Sequence, residues 1–135
     1  MQPVKLLLDT HVLLWAIGKT DELSKTAIRE IKNPKNEIFA SAVSLWEIAL
    51  KHSLGKLSVS FNIEDIPEFC RRMDFKLISL DPVDALKSLR LPQKSNHKDP
   101  FDRMLIYLCI KNEYTLISRD TRMDLYKNDG LKYIW

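Results

Sequence analysis

Asp9, Glu47, Asp102 and Asp120 are the side chains whose type and surroundings in this sequence suit chemistry. Asp9 follows directly on the apolar run Val4 to Leu8, and Asp120 comes just after Thr115–Ser118, with Arg119 between. Two short β runs that end in acids would carry both carboxylates to one edge of a parallel sheet. Ser44, Glu47 and Lys51 form a narrow polar stripe at helical spacing, flanked by Val43, Leu45, Trp46, Ile48, Ala49 and Leu50. A helix apolar on both sides of its one acid should sink that acid into a cleft. Asp102 begins an apolar helical stretch, Met104 to Ile110, that should hold its first turn in the core and aim it inward.

Brought together, these acids need a counter-charge. Two carboxylates ~4 Å apart repel by ~4 kcal/mol at an effective dielectric of ~20, and a cluster holds several such pairs. Either the set takes up protons together or a hard divalent cation sits among the oxygens, for which Mg²⁺ or Mn²⁺ is suited. A cation so held activates water and steadies charge on an attacked phosphate, which is phosphodiester hydrolysis. Each acid also has a structural reading that stays open here. Asp9 and Asp120 fit helix caps, Glu47 an i, i+4 pair with Lys51, Asp99 an N-cap before Pro100, and Asp102 an acid in a helix's first turn.

The elements that must position these residues alternate along the chain. Val4–Leu8 reads as a buried strand followed by a helix through Val12–Ile17; Ser24 caps a helix to Lys32, which Asn33-Pro34 ends. Glu37–Ala40 reads as a strand, Val43–Leu54 as a helix closed by Gly55, Ile63–Met73 as a helix, and Phe75–Leu80 as a strand. Asp81-Pro82 opens a helix to Leu89, Pro100 one to Asn112, Thr115–Ser118 is a strand, Thr121–Tyr126 a short helix, and Lys132–Trp135 a closing strand. Strands alternating with helices imply a parallel sheet covered on both faces, whose sites form at the carboxyl ends of strands where their order reverses.

A length of 135 residues suits one domain, 1–135, and 45% hydrophobic against 29% charged residues suits a folded chain. A net charge of +3 permits a nucleic-acid partner without requiring one. Cys70 and Cys109 are widely separated, lack a C-x-x-C spacing and read as buried thiols. Lys5 interrupts the opening apolar run, so neither a secretion signal nor a membrane span is expected and the location expected is the cytoplasm.

Four blocks, in order, resemble the PIN-domain nucleases, and most closely the VapC-type toxins of prokaryotic toxin–antitoxin pairs. They are Leu6-Leu7-Leu8-Asp9-Thr10-His11, Ser41-Ala42-Val43-Ser44-Leu45-Trp46-Glu47-Ile48, His97-x-Asp99-Pro100-Phe101-Asp102-Arg103, and Thr115-Leu116-Ile117-Ser118-Arg119-Asp120. The resemblance covers nearly the whole chain. It implies a three-layer α/β/α sandwich around a mainly parallel sheet, and a metal-dependent endoribonuclease with Asp9, Glu47, Asp102 and Asp120 as the acidic quartet and Mg²⁺ as its ion. It also implies a homodimer, a cognate VapB-type antitoxin, and structured RNA, often tRNA, as substrate. Asp99 matches a feature of this subgroup and is a further candidate metal contact.

Around the quartet, Thr10 and Ser118 are candidates to orient water at strand ends or to cap helices, and Arg103 and Arg119 to pair with acids or touch phosphate. Lys87, Arg90, Lys94, His97 and Lys98 precede Asp99 with no acid among them, so Lys94 and Lys98 are candidates to guide RNA phosphates, beside the plainer reading of a solvated loop. His11, His52 and His97 show no metal-ligand spacing, and Trp15, Trp46 and Trp135 read as core or interface residues. A phosphatase of the aspartyl-phosphate type would need a second acid where His11 stands. The remaining rival is a catalytically silent RNA-binding or protein-interaction module of the same fold, which four acids facing phosphates would disfavour.

Overall fold

The computed structural model describes residues 3–94 and 97–135. Met1 and Gln2, ahead of the opening run, and Ser95 and Asn96, within the Lys87–Lys98 segment, lie outside the described residues. The first half runs β1 (Lys5–Leu8), α1 (Thr10–Gly18), α2 (Lys25–Lys32), β2 (Glu37–Ser41) and α3 (Ala42–Ser53). It continues with α4 (Ile66–Arg72), β3 (Phe75–Ile78), α5 (Pro82–Lys87), α6 (Pro100–Asn112), β4 (Thr115–Ile117) and β5 (Lys132–Ile134).

The five strands form one sheet in the order β3-β2-β1-β4-β5, and every pairing is parallel. Successive strand residues feed opposite layers, as the two-residue pleat period requires. Leu6, Leu8, Ile38, Ala40 and Ile117 pack with α1, α2 and α4 residues such as Val12, Leu13, Ala27 and Cys70. Leu7, Phe39 and Leu116 pack on the other side with Val43 of α3, Leu105, Ile106 and Cys109 of α6, and Tyr126. Both cysteines are free and buried, as expected of apolar thiols. Among the described residues no helix is long and apolar enough to cross a membrane.

Local chemistry explains the ends of the elements. Ser24 accepts the Ala27 amide at 3.0 Å and starts α2, while Gly55 follows α3 at φ 71°, a left-handed conformation that glycine adopts without Cβ strain. Three expected helices are partly 3₁₀. Ile63–Asp65 precedes α4, with Pro67 in the helix's first turn, Ser88–Arg90 follows α5, and Thr121–Asp129 is 3₁₀ throughout until Gly130 at φ 105°. The order of strands reverses between β1 and β4, since the chain builds outward through β2 and β3 before returning to β4 and β5. The crevice beyond the carboxyl ends of β1 and β4 is therefore where the topology leaves room for a site.

Candidate active site

Every member of the acidic quartet lines that crevice, a cleft of about 480 Å³ shared with Asp99, Lys51, Arg122, Trp15 and Arg119 among others. Asp9 is the N-cap of α1, its carboxylate accepting the Thr10 amide at 2.8 Å. Capping and site are thus the same placement, because the strand-to-helix turn that needs a cap also opens onto the sheet's carboxyl edge. Ser118, just past β4, donates its hydroxyl to Asp9 Oδ2 at 2.7 Å and accepts the Asp120 amide at 3.1 Å. It ties the two strand-end acids together.

Glu47 is only 2% exposed. The Thr10 hydroxyl donates to Glu47 Oε1 at 2.6 Å and lies 3.0 Å from the buried Ser44 hydroxyl, while Lys51 forms an ion pair with Glu47 Oε2. Both readings of this acid hold at once: it pairs with the lysine one turn on, and it does so inside the cleft. Thr10 and Ser118 orient carboxylates.

Asp102 and Asp99 open α6. Asp99 caps it, accepting the Phe101 and Asp102 amides at 2.8 and 3.1 Å, with Pro100 in the first turn. Asp102 sits one turn in, and its Oδ2 lies 3.2 Å from His97 Nε2. His97, wholly buried, also places Nδ1 2.8 Å from the Tyr126 hydroxyl, and its nearest ligand atoms with those of Asp102 and Asp120 all lie within 4.8 Å of one another. Asp120 is the most open of the quartet and is gripped by Arg122, whose guanidinium reaches both carboxylate oxygens.

The charge states follow from these surroundings. Burial, followed by repulsion from Asp9, Asp99, Glu47 and Asp120, pushes the Asp102 carboxyl up to about 8. Burial also raises Asp9, against the opposing hydrogen bonds from Ser118 and Thr10. The Arg122 hydrogen bonds hold Asp120 below the usual carboxylate range. His97 is lowered, first by burial and then by the charge of Arg122. The hydrogen bond to Glu47 raises Lys51 and keeps it charged. The cleft is thus short of positive charge around Asp102, and its carboxylate oxygens are the donor set that a hard divalent cation takes.

Of the other expected cationic contacts, Arg119 borders the cleft and Arg103, Lys94 and Lys98 lie elsewhere. Arg103 is buried and points away from the acids, donating to the carbonyls of Leu91 at 2.7 Å and Pro92 at 3.1 Å and to the Tyr126 hydroxyl at 3.3 Å. One residue along a helix turns a side chain by ~100°, so a neighbour of the inward-aimed Asp102 cannot share its direction. Lys94 pairs with Asp129 at 2.9 Å, its ammonium 5.6 Å from the centre of the Tyr126 ring. Lys98 borders a separate apolar groove with Trp46, Leu89, Phe101 and Met104. Arg119 stands over Trp15, 5.9 Å from its ring centre, at the cleft wall. Trp46 is 66% exposed, set edge-on to Phe101, and so is not a core residue.

The sequence places His97 only in the family block and in the basic stretch before Asp99, and gives Tyr126 and Arg122 no role. Arg122 had a local signal, two residues after Asp120. His97 had one in standing five residues before Asp102, but Tyr126 reaches the site only through the fold.

Residues 6–129 match the family profile of the PIN domain. Ribonuclease VapC22 of Mycobacterium tuberculosis is 23% identical over 133 residues, an alignment covering 96% of this chain and 97% of that protein. The structure of VapBC2 from Rickettsia felis bound to a promoter DNA fragment superposes with a TM-score of 0.61 at 18% identity, covering 97% of this chain and 98% of that one. DNA-bound VapBC from Salmonella typhimurium gives 0.63 at 16% identity, covering 97% of each chain.

Proposed function

The chain belongs to the PIN domain family, and we propose that it is a metal-dependent endoribonuclease acting as the toxin of a toxin–antitoxin pair. The observation that carries this reading is the convergence of Asp9, Glu47, Asp102 and Asp120, from four separate segments, on one cleft at the switch point of the sheet. The relative named a ribonuclease and the similar chains found in VapBC complexes support the activity and the setting.

Asp9, Glu47, Asp102 and Asp120 would hold the cation, Mg²⁺ or Mn²⁺, with Asp99 at the margin of the set. When bound, such a cation supplies Lewis-acid polarisation of the phosphodiester and a nucleophile from water. The protein's own part is positioning. Thr10 and Ser118 hold Glu47 and Asp9 in fixed directions, so the oxygens need little reorganisation. The Asp102 carboxyl, protonated at neutral pH when the site is empty of cation, would give up that proton as the cation arrives. Lys51 and Arg122, on the cleft walls beside Glu47 and Asp120, are the cations nearest an incoming phosphate. Arg119 over Trp15 extends that positive rim.

An RNA substrate, tRNA among the candidates, and a VapB-type antitoxin in the cytoplasm complete the proposal, with a homodimer as the assembled form. The groove of Trp46, Leu50, Leu89, Phe101 and Met104 supports the last point, since Trp46 and Leu89 stand exposed there and a second copy would cover them.

The test is cleavage of RNA by purified protein with Mg²⁺ or Mn²⁺, with and without a chelator. Cleavage that stops with chelator and returns with added metal is the expected result. Cleavage indifferent to chelator removes the metal, and no cleavage with any divalent ion turns the reading to a silent RNA-binding module.

A further inference from the structure

We propose that Arg103, Tyr126 and His97 form a buried, one-directional hydrogen-bond relay that orients the Asp102 carboxylate, which makes His97 a positioning residue and not a metal ligand. The inference rests on the nuclease reading only for what Asp102 does; the direction of the relay stands on geometry alone.

Its polarity is set at the Arg103 end. A guanidinium has N–H groups to donate and nothing to accept with. Arg103 is spent on the Leu91 and Pro92 carbonyls and on the Tyr126 hydroxyl, 3.3 Å from one of its terminal nitrogens. The Tyr126 oxygen is thereby an acceptor on that side. Its one proton is left for the neighbour on the other side, His97 Nδ1 at 2.8 Å. With the Nδ1 lone pair engaged by the Tyr126 hydroxyl, the N–H of the ring must be on Nε2. Nε2 then donates to Asp102 Oδ2 at 3.2 Å. With the opposite polarity the Tyr126 hydroxyl proton would face, among the described residues, only the donors Arg103 and Nδ1–H, in a residue wholly buried.

Two consequences follow for the site. The nearness of His97 to Asp102 and Asp120 looks like a mixed imidazole and carboxylate ligand set, yet the nitrogen nearest those acids carries the proton and has no lone pair to give. Asp102 Oδ2 is held by that N–H, whereas Oδ1 receives no hydrogen bond among the described residues. One oxygen is fixed and the other is free for a cation. The relay is also closed off from water. Lys94 lies over the Tyr126 ring and is anchored by Asp129, and Leu91 and Pro92 cap the arginine. Two stretches of chain, Leu91–Arg103 and Tyr126–Asp129, thus converge to aim one carboxylate.

The experiment is long-range ¹⁵N–¹H correlation on metal-free protein labelled at histidine, with His97 assigned by its loss in His97→Gln. The Nε2–H tautomer is expected, and an Nδ1–H tautomer overturns the relay without needing any variant to fold. Mn²⁺ affinity is then read by calorimetry. Tyr126→Phe keeps the ring but removes the link, and is expected to mix the tautomers and weaken Mn²⁺ by about 10-fold. His97→Gln, whose side-chain amide can still donate to Asp102, should retain more affinity than His97→Ala; equal losses in the two would mark His97 as a ligand and overturn the proposal. An Nδ1–H result with metal-dependent cleavage intact rejects the relay alone. The expected tautomer with no RNA cleavage rejects the nuclease reading alone.

Discussion

Asp102 and Asp120 face each other across one cleft and are held in opposite ways. Asp102 is sunk at the start of α6 against a buried imidazole, and burial with its acidic neighbours raises its carboxyl to about 8. Asp120 sits past the end of β4, nearer solvent, and Arg122 pulls its carboxyl down. The same side chain in the same cluster is thus a stored proton on one wall and a fixed negative charge on the other. In a cation site Asp120 would attract the ion as a permanent charge, and Asp102 would take its charge only as the ion arrives to balance it.

The most direct way to break this contrast is to remove a carboxylate. Asp102→Asn and Asp9→Asn are expected to reduce metal-dependent RNA cleavage by more than about 100-fold while leaving the circular dichroism spectrum unchanged. Full activity in either variant would remove that acid from the site.

Stability sharpens the contrast next. The Asp102 carboxyl keeps its proton in the folded protein to about pH 8, whereas in the unfolded chain it ionises near its ordinary value of 3.8. The folded state therefore binds the extra proton between these values, and its stability should fall as pH rises from about 4 through 8. Asp102→Asn removes this penalty, so in chelator at pH 8 the variant should be more stable than the parent by ~2–4 kcal/mol, measured by denaturant unfolding. Asp120, with its carboxyl lowered, has the reverse sign. Its favourable contribution is present above the ordinary carboxylate value and is lost in acid.

Metal titrations carry the same logic to binding. Mn²⁺ affinity should increase with pH up to about 8 in the parent protein as the Asp102 proton becomes easier to displace, by at most about 10-fold per pH unit, and this dependence should be reduced in Asp102→Asn, leaving the part due to the raised Asp9. On the opposite wall, Arg122→Gln frees Asp120 from its guanidinium. Mn²⁺ should bind about 2- to 5-fold more tightly, the worth of an exposed ion pair, while RNA binding weakens. The smallest effect is expected outside the cleft, where Lys98→Ala should weaken RNA binding modestly and flatten its salt dependence, and Lys94→Ala should do less because Asp129 already holds that ammonium.

Much of this molecule is legible in its sequence because the signals are local. The alternation of apolar runs with capped helical stretches predicts β1 through α6 nearly in place, and Ser24, Gly55 and Pro100 mark ends that the structure reproduces. Departures arise where a local pattern allows two kinds of turn. The stretch from Thr121 has a helix's composition and is 3₁₀ from Thr121 to Asp129, where Gly130 ends it ahead of the edge strand β5. In the site, Asp9, Glu47 and Asp102 could be singled out because each is an acid bounded by residues that must be buried. Arg103 and Lys94 could not be assigned in the same way. A long cationic side chain beside an acid reads as a phosphate contact, and only packing shows that Leu91, Pro92 and Tyr126 claim the one and Asp129 the other.

The sequence by itself therefore determined the elements, the acids and the edge of the sheet on which they gather, because strand and helix periods and caps act over a few residues. Tertiary structure alone decided the charge state of each acid and which oxygen is held. Those depend on burial and on partners as distant as Tyr126 is from His97 and Ser118 from Asp9, and electrostatics in a cleft is a property of everything that surrounds it.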